Sequence, residues 1–528
     1  MDTPLPNEVY SRDPASGETW RRFPATAADQ VERAIVAARA AKHDWGARPL
    51  AERLRILERF RQLVYERRSE IASTISRENG KPAAEAMATE VATTLDFVRF
   101  YCRLAPGFFA PQRLRSSSLA LWRKRIRIAH EAYGVVAVIS PWNYPFMLPA
   151  GIIIPALVAG NVVLLKPSEL TPSSAALLED LLLSSGVPTD VFKVLQGDGA
   201  TGRALAAGSV DKLFFTGSVA TGRRVALACA ERLVPCVLEL GGSDPALVLD
   251  DADVAHAASG ITWGRFSNSG QTCVAPKRVF VMEAVYDAFV AAMQHRVKRL
   301  RVGAMHHVEY DVGALIRPAQ SEALQGQLDD ALALGARQIS SQDMASDGSG
   351  TRGAHGALFA PTLLLDVSAD ARAMREETFG PLLPIVRVES VEEAIRLANA
   401  SEFGLSASVW SRNSERAISV AARLEAGTVV INDVALVAGM AEVPHGGVKA
   451  SGSGRSHGVA GLEECVRTKT VVDDVFRGWR QGWWFGYGPQ SLTRIDAYVR
   501  LAHGGTLWQR LTGVVGTLKL LFRPERPI

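Results

Sequence analysis

A cysteine and an upstream glutamate are the side chains of this sequence best suited to covalent chemistry. Cys273 ends the motif NSGQTC at 268–273, and Glu239 begins the motif ELGG at 239–242. An ordinary thiol has a pKa near 8.5 and is only about 3% thiolate at pH 7, so a nucleophilic cysteine needs help from its surroundings. The pattern therefore indicates a nucleophile and its general base. The alternative is that Cys273 is a small buried apolar residue.

An asparagine follows the predicted strand at residues 134–139. Trp142 and Asn143 lie in the motif PWNYP at 141–145. Ligands bind open α/β sheets beyond the carboxyl ends of the strands, so the Asn143 amide could donate to an oxyanion there. One such donor typically contributes about 2.7–4 kcal/mol to transition-state stabilisation. The alternative is a proline-rich turn capped by Asn143.

Two motifs have residue types that bind the phosphates and a ribose of a dinucleotide. Lys166 and Glu169 could hold ribose hydroxyls between a donor and an acceptor, and Glu169 would repel the 2′-phosphate of NADP. Gly217 and Ser218 end a strand and open a helix, where free N–H groups suit a pyrophosphate. The alternatives are a solvated turn and an ordinary helix begun by a serine.

A further acidic motif, EETFGP at 376–381, could serve a second ribose. Glu377 could accept a hydrogen bond from the ribose, and Phe379 could pack against it. A solvated helix end is the alternative. The glycine-rich run at 452–458 has the wrong spacing and no preceding strand, so it is rejected as a dinucleotide loop.

The bulk composition excludes several classes of protein. The chain has 528 residues, 47% of them hydrophobic, and a net charge of +4, which is too small for a nucleic-acid binder of this size. Its five cysteines are scattered without a CxxC pair, so we expect no zinc site, no other metal site and no disulfide framework. The first residues lack the features of a secretion signal, and we expect a cytoplasmic protein.

The elements that must position these residues follow an alternating pattern. No charged residue occurs between Glu131 and Lys166, but prolines interrupt the run. It predicts a strand (134–139), a helix (147–159) and a strand (162–165) rather than a membrane span. Further strands are predicted at 191–195, 212–215, 236–240 and 246–249, followed by a second α/β region with strands at 278–282, 383–388 and 428–431. This order predicts a parallel, doubly wound α/β sheet.

Taken together, the motifs resemble the NAD(P)-dependent aldehyde dehydrogenase superfamily over nearly the whole chain. The resemblance includes DPASGE at 13–18, ENGKP at 78–82 and PHGGVKASG at 444–452, where the family usually has Phe in place of His445. It implies an α/β aldehyde dehydrogenase fold. The implied parts are a Rossmann-like dinucleotide-binding domain (1–110 and 133–241), a catalytic domain (242–450), a small β oligomerisation element (111–132 and 451–474) and a C-terminal amphipathic extension (475–528).

The resemblance also implies the site and the reaction. An aldehyde would be oxidised to its acid through a thiohemiacetal and a thioester on Cys273, with Glu239 as the base and Asn143 at the oxyanion. NAD is the favoured cofactor and NADP the alternative, and the protein is expected to be a homodimer or homotetramer. The implied cofactor-binding residues are Trp142, Lys166, Glu169, Gly217, Ser218, Leu240, Gly241, Glu377 and Phe379.

Other functions stay open at this point. Medium- or long-chain and other hydrophobic aldehydes are one class of substrate, and a semialdehyde is the alternative. A CoA-acylating relative would usually lack the base that Glu239 supplies, and a non-catalytic protein on the same fold would tolerate loss of Cys273 or Glu239.

The C-terminal extension is rich in aromatic and basic residues. Apolar residues between Leu507 and Phe522 recur on one helical face, while Gln509 and Lys519 lie elsewhere and Arg510 and Thr517 lie at its edge. Such a basic amphipathic helix is typical of peripheral contact with a membrane, here its cytoplasmic face. The alternative is an arm that packs across a partner subunit.

Overall fold

The computed structural model describes residues 7–303, 310–341, 356–475, 481, 484–485 and 487–521. The chain divides into two compact units, the first formed by residues 1–105 and 132–466 and the second by residues 106–131 and 467–528. Phe476, Trp479, Trp483 and Phe522 of the aromatic extension lie outside the described residues, as does most of the Ser/Gly-rich loop at 340–356. No helix within the described residues combines the length and the hydropathy that crossing a bilayer requires.

The strands and helices alternate along most of the first unit. The strands are β1 (Glu8–Arg12), β2 (Thr19–Pro24), β3 (Gln112–Leu114), β4 (Lys124–Ala132), β5 (Val135–Ile139), β6 (Val162–Lys166), β7 (Phe192–Val194), β8 (Lys212–Thr216), β9 (Cys236–Glu239), β10 (Asp244–Val248), β11 (Pro276–Met282), β12 (Arg337–Ser340), β13 (Thr362–Leu365), β14 (Leu382–Val388), β15 (Phe403–Gly404), β16 (Ser406–Trp410), β17 (Thr428–Ile431), β18 (Val448–Lys449), β19 (Gly452–Ser453) and β20 (Val466–Asp474). The α-helices are α1 (Ala28–Ala47), α2 (Leu50–Glu66), α3 (Arg68–Asn79), α4 (Ala83–Ala86), α5 (Thr93–Phe108), α6 (Met147–Ala159), α7 (Pro172–Ser184), α8 (Gly199–Ala207), α9 (Val219–Glu231), α10 (Val254–Phe266), α11 (Glu283–Val297), α12 (Pro318–Ala333), α13 (Arg372–Arg375), α14 (Val391–Asn399), α15 (Ser414–Ala421), α16 (Gly458–Glu463), α17 (Ser491–His503) and α18 (Leu507–Leu521).

A six-stranded sheet lies at the centre of one half of the first unit. Its order is β19-β9-β8-β5-β6-β7, parallel except for β19. The chain runs from β5 outward through β6 and β7, and then returns to β8 on the other side of β5. The order therefore reverses between β5 and β8, and a crevice at the carboxyl ends of strands is expected at such a point. Every residue of β5 and β6 is buried, which explains their continuous apolar sequences.

A seven-stranded sheet forms the second half of this unit. Its order is β12-β13-β14-β11-β10-β16-β17, and β12 is its antiparallel strand. Buried residues of β11, β13 and β14, with Trp410 of β16, form one core cluster with α10 and α11. The predicted strand–helix–strand segment and the other predicted strands of both sheets are confirmed, with their ends displaced by no more than two residues. The parallel, doubly wound α/β architecture is thus confirmed.

The second unit contains a three-stranded sheet and a pair of helices. The sheet has the order β20-β4-β3, and α17 packs against α18. Apolar residues alternate with Arg and Lys at 117–129 and predict a half-exposed strand, but the first half of that prediction is wrong. The Ser118 N–H donates to the Ser116 hydroxyl and the Ser118 carbonyl accepts from Leu121 N–H, so the chain forms a 3-10 turn at Leu119–Leu121 before β4 begins. Gly513 and Gly516 of α18 lie directly against Ala497 of α17.

Candidate active site

Cys273 lies after a backbone segment of unusual conformation. The 3-10 segment Ser267–Gly270 leads into it, with φ of 48° at Asn268, 57° at Ser269 and 74° at Gly270. A side chain at Gly270 would run into the backbone of Gly380, so this position requires glycine. Non-glycine residues with positive φ concentrate at functional sites because the surrounding fold must hold them there.

The surroundings of the Cys273 thiol favour its protonated form. Burial raises the pKa of Cys273 to about 12, Lys277 lowers it, and Glu239, Asp244 and Glu377 each raise it further. Two opposite causes are therefore present, since burial and like charge disfavour a thiolate whereas a nearby cation favours it. A nucleophile in this environment needs a base that accepts its proton and a cation that stabilises the resulting anion.

Glu239 ends β9, and its side chain is held by a residue that comes 217 positions later in the sequence. Its Oε1 accepts a short hydrogen bond from the hydroxyl of Ser456, and both side chains are buried. Ser456 is itself fixed by paired backbone bonds with His445, at 2.7 and 2.8 Å. The run rejected as a dinucleotide loop thus supplies β19, which pairs with β9, and then this serine. Sequence reasoning missed Ser456, because a lone serine carries no distinguishing signal.

Asn143 is buried at the carboxyl side of β5, and its backbone is held by two donors. Its carbonyl accepts from Lys81 Nζ at 2.9 Å and from Asn268 Nδ2 at 2.8 Å. Its own Nδ2 donates to the Gln271 carbonyl at 3.1 Å. An amide nitrogen carries two hydrogens, so one remains available to an incoming oxygen.

Lys81 belongs to a fully buried ion pair that was not predicted. Its Nζ lies 2.7 Å from Glu90 Oε1, and both side chains are completely buried. Glu90 Oε2 also accepts from the backbone N–H groups of Phe146 and Met147, at the start of α6. Glu90 lies in a π-helix (Met87–Ala92), a type of helix that is frequent at functional sites.

One cavity of about 230 Å³ brings nearly all the predicted site residues together. Lys166 and Glu169 do not line it; they pair with each other at 3.3 Å, with Lys166 buried and Glu169 partly exposed. The cavity also adjoins residues that were not predicted. Its described lining consists of Pro141, Trp142, Asn143, Leu148, Thr216, Gly217, Ser218, Glu239, Leu240, Gly241, Cys273, Glu377, Phe379, Leu405 and His445.

The start of α9 fits the phosphates of a dinucleotide. Ser218 caps the helix by accepting from Thr221 N–H at 3.4 Å, and the helix begins beyond β8, at the point where the sheet order reverses. Gly222 packs so closely on Leu240 that a Cβ would collide with it, which brings this end of the helix against β9. Helix N-termini bind anions through free N–H groups and the helix dipole. The residues at the start of α9 therefore fit the phosphates of a dinucleotide.

Glu377 and two aromatic rings form another part of the cavity wall. Glu377 Oε1 accepts from Gly242 N–H at 3.0 Å and lies 3.5 Å from Lys277 Nζ. The rings of Trp142 and Phe379 meet edge to face, with centroids 5.5 Å apart. A fixed carboxylate beside an aromatic surface can accept from a ribose hydroxyl while a flat ring packs nearby.

His445 closes the cavity where the sequence departs from the expected phenylalanine. It is buried and stacked on His457, with ring centroids 5.7 Å apart and planes at 19°. Burial and the neighbouring His445 hold the pKa of His457 well below its usual value. His457 is therefore neutral at physiological pH and serves as a flat buried surface behind His445.

Comparisons with known proteins agree with this geometry. The model of the aldehyde dehydrogenase family matches residues 3–471. A Mycolicibacterium smegmatis protein named "Putative succinate-semialdehyde dehydrogenase (NADP(+))" is 39% identical over 94% of this chain and 91% of its own length. A 4,4'-diapolycopene aldehyde oxidase from Methylomonas sp is 35% identical over the same shares. The crystal structure of lactaldehyde dehydrogenase from Escherichia coli superposes with a TM-score of 0.83 at 32% identity, covering 88% of this chain and 96% of that chain.

Proposed function

This chain belongs to the aldehyde dehydrogenase family, and on that premise we propose that it oxidises hydrophobic aldehydes to carboxylic acids, with NAD as the preferred cofactor. The reaction class, oxidation of an aldehyde with NAD or NADP, follows from the family. The observation that carries the proposal is that Cys273, Glu239 and Asn143 lie on the wall of one cavity, beside residues that fit a dinucleotide.

The first half of the proposed reaction takes place on Cys273. The thiol releases its proton to water, and the thiolate sulfur bonds to the aldehyde carbon, giving the anion of a thiohemiacetal. The free N–H of Asn143 Nδ2 and the backbone N–H of Cys273 donate to the oxygen that becomes negative. A nicotinamide held beside Trp142, Glu377 and Phe379 would supply the hydride acceptor, and Cys273 would then carry the carbon as an acyl-thioester.

The second half releases the acid. Glu239 accepts a proton from a water molecule, whose oxygen attacks the thioester carbonyl, and the carbon–sulfur bond breaks to restore the thiol. The Ser456 hydroxyl holds the Glu239 carboxylate in one orientation while it does so. Glu377, with Phe379 and Trp142, orients the nicotinamide ribose, and Gly217 and Ser218 receive the pyrophosphate.

The preference for hydrophobic aldehydes rests on the charge of the cavity wall. Its described lining holds the carboxylates Glu239 and Glu377 and the apolar side chains Leu148 and Leu405, but neither Lys nor Arg. A carboxylate-bearing substrate would meet like charge and no cation on the wall itself, because Lys277 is buried behind it and paired with Glu377. One relative is named 4,4'-diapolycopene aldehyde oxidase, and this name supports the proposal.

A semialdehyde is the second candidate, because one relative carries that name. Steady-state kcat/KM for acetaldehyde, benzaldehyde, decanal and succinic semialdehyde distinguishes the two. We expect decanal to exceed succinic semialdehyde by at least about 10-fold, the size of effect that a few methylene contacts supply. A higher kcat/KM for succinic semialdehyde than for decanal would contradict the hydrophobic assignment, and turnover by Cys273→Ala would contradict the mechanism.

The cofactor preference rests on Glu169. Its carboxylate is held by Lys166 at the end of β6, where it would accept from an adenosine ribose and repel a 2′-phosphate. We expect kcat/KM for NAD to exceed that for NADP by about 10-fold, since about 1.4 kcal/mol of repulsion corresponds to that factor. Glu169→Gln should lower the ratio of kcat/KM for NAD to kcat/KM for NADP. An unchanged ratio would show that Glu169 does not set the cofactor preference.

We also propose that the second unit contacts an anionic membrane surface. Leu507, Leu511, Val515 and Leu518 are each at least half exposed and form a line along α18, here termed the outer apolar stripe. This stripe lies apart from the residues that contact α17. Exposed Arg510 and Lys519 on the same helix supply positive charge. Apolar residues flanked by cations are typical of helices that lie in the headgroup region.

Vesicle co-sedimentation of the full-length protein tests this contact. We expect binding to phosphatidylglycerol vesicles, weaker binding to phosphatidylcholine, and a loss of about 10-fold in Leu511→Ser, because one buried leucine contributes about 1.5–3 kcal/mol. Leu227→Ser, which changes an equally exposed leucine on α9, is the matched control. Two results would favour a subunit arm instead. One is that Leu511→Ser and Leu227→Ser bind vesicles equally; the other is that the unchanged protein does not bind vesicles and Leu511→Ser loses its oligomeric state.

A further inference from the structure

Lys277 is a buried cation beside the nucleophile, and neither the motifs nor the cavity lining pointed to it. It lies four residues after Cys273, in β11, and its side chain is completely buried. Its Nζ donates to the Cys273 carbonyl oxygen at 2.5 Å and lies 3.5 Å from Glu377 Oε1. It is also 6.0 Å from the centre of the Phe379 ring.

The charges around Cys273 explain what this cation can do. Glu239, Asp244 and Glu377 all act on the thiol as like charges, and Lys277 acts against them. Burial raises the pKa of Asp244 to about 6, and the charge of Lys277 acts to lower it. Lys277 therefore acts on Asp244 as well as on Cys273. An anion formed among three carboxylates in a buried site is unfavourable without a nearby cation.

We propose that Lys277 is a positioning residue for the covalent step: it fixes the Cys273 backbone, supplies the positive charge beside which the thiolate forms, and holds Glu377 against the site. This role rests on the proposed function for the identity of Cys273 as the nucleophile. The contact with the carbonyl fixes the peptide that carries the nucleophile, and the ion pair fixes Glu377. One ammonium group thus couples the sulfur to the cofactor side of the cavity.

Alkylation of Cys273 by iodoacetamide tests the charge without aldehyde or cofactor. The full chain is alkylated across pH 7–10, and the rate is followed on the Cys273 peptide by mass spectrometry, because other thiols are present. In Lys277→Met the rate at a given pH should fall at least about 10-fold, since thiolate fraction changes tenfold per pKa unit. Lys277→Arg, which keeps the charge, should stay within about 3-fold of the unchanged protein.

Two further variants separate charge from packing. Glu377→Gln removes the carboxylate that pairs with Lys277 and acts on Cys273 as a like charge. It should therefore increase the alkylation rate of Cys273, whereas Lys277→Met should decrease it. A packing defect would instead slow or speed both. Lys212→Met removes another buried lysine, which lies in β8 of the six-stranded sheet and pairs with Glu464. This variant should leave the alkylation rate of Cys273 unchanged.

The proposal fails if Lys277→Met alkylates at the unchanged rate, or if Glu377→Gln slows alkylation as Lys277→Met does. The Glu377→Gln result decides on its own if Lys277→Met does not fold. Failure of the proposed function has a different signature, because activity retained by Cys273→Ala would overturn the nucleophile whatever the alkylation rates of the lysine variants.

Discussion

Ser456 gives Glu239, the proposed general base, a fixed orientation through one buried hydrogen bond. We expect Ser456→Ala to lower kcat by about 10-fold or more, because a bond to a charged group contributes about 1.5–3 kcal/mol. The burst of NADH should remain, since Glu239 acts after hydride transfer. Stopped-flow absorbance separates the two phases. Ser453→Ala, at an exposed serine three residues earlier, is the control, and a lost burst would place Ser456 in the first step instead.

The raised pKa of Cys273 predicts how the first step depends on pH. The folded thiol has a pKa of about 12, so the thiolate is the minor form at pH 7 and increases as pH rises. Below that pKa its fraction grows about tenfold per pH unit. The rate of the NADH burst should therefore increase between pH 7 and 9, measured with saturating decanal and NAD. A burst rate that is constant across this range would contradict the prediction.

At the residue scale, local motifs predicted the groups that are proposed to do chemistry, but not the groups that hold them in place. Cys273, Glu239 and Asn143 each stand in a short motif of distinctive composition. Lys81 contacts the carbonyl of Asn143 across 62 residues of sequence, and Ser456 contacts Glu239 across 217. Such partners depend on the tertiary fold, and a lysine or serine alone gives no signal of its future contact. Residue roles remain predictions until the variants are measured.

The π-helix at Met87–Ala92 carries Glu90, which pairs with Lys81, and Lys81 in turn donates to the backbone carbonyl of Asn143. Glu90→Gln would leave the buried Lys81 ammonium without its charge partner, which typically costs about 3–5 kcal/mol. We expect a clearly lower Tm, and a lower kcat because the backbone of Asn143 loses its support. Thermal unfolding and steady-state kinetics measure these effects.

An exposed ion pair provides the comparison for that prediction. Asp29→Asn breaks the pair with Arg33 on the surface of α1, and surface pairs contribute about 0–1 kcal/mol. Its Tm should change little. Equal effects from Glu90→Gln and Asp29→Asn would show that the buried pair does not organise the site.

At the element scale, sequence periodicity predicted the long buried strands and failed at short or half-exposed ones. β5 and β6 are continuous apolar runs bounded by turns, and such runs have few alternative structures. β13 has only four residues and β16 includes two serines, so neither was predicted although every residue of both is buried, and α17 has no buried residue. Tertiary pairing rather than local propensity determines these elements.

The second unit offers an edge strand for assembly, and we propose that it joins subunits into a homodimer or homotetramer. β20 is at one edge of its sheet, and its neighbouring residues Val471 and Val472 are both exposed. Consecutive strand residues point to opposite faces, so both faces of this edge are uncovered, and an edge of this kind can pair with another chain. Val472→Lys should dissociate the oligomer by light scattering, whereas Val36→Lys, at an exposed position of α1, should not. Intact oligomers in Val472→Lys would exclude this edge.

The pairing of β19 with β9 also has a consequence for biosynthesis. Ser456 leaves the ribosome 217 residues after Glu239, which at about 5–20 residues per second is an interval of about 10–40 s. Cys273 emerges within this interval, before the segment that fixes its base exists. The order of synthesis therefore places the thiol in the nascent chain before the hydroxyl group that fixes Glu239. The geometry around Glu239 can be completed only after the last part of the first unit has been synthesised.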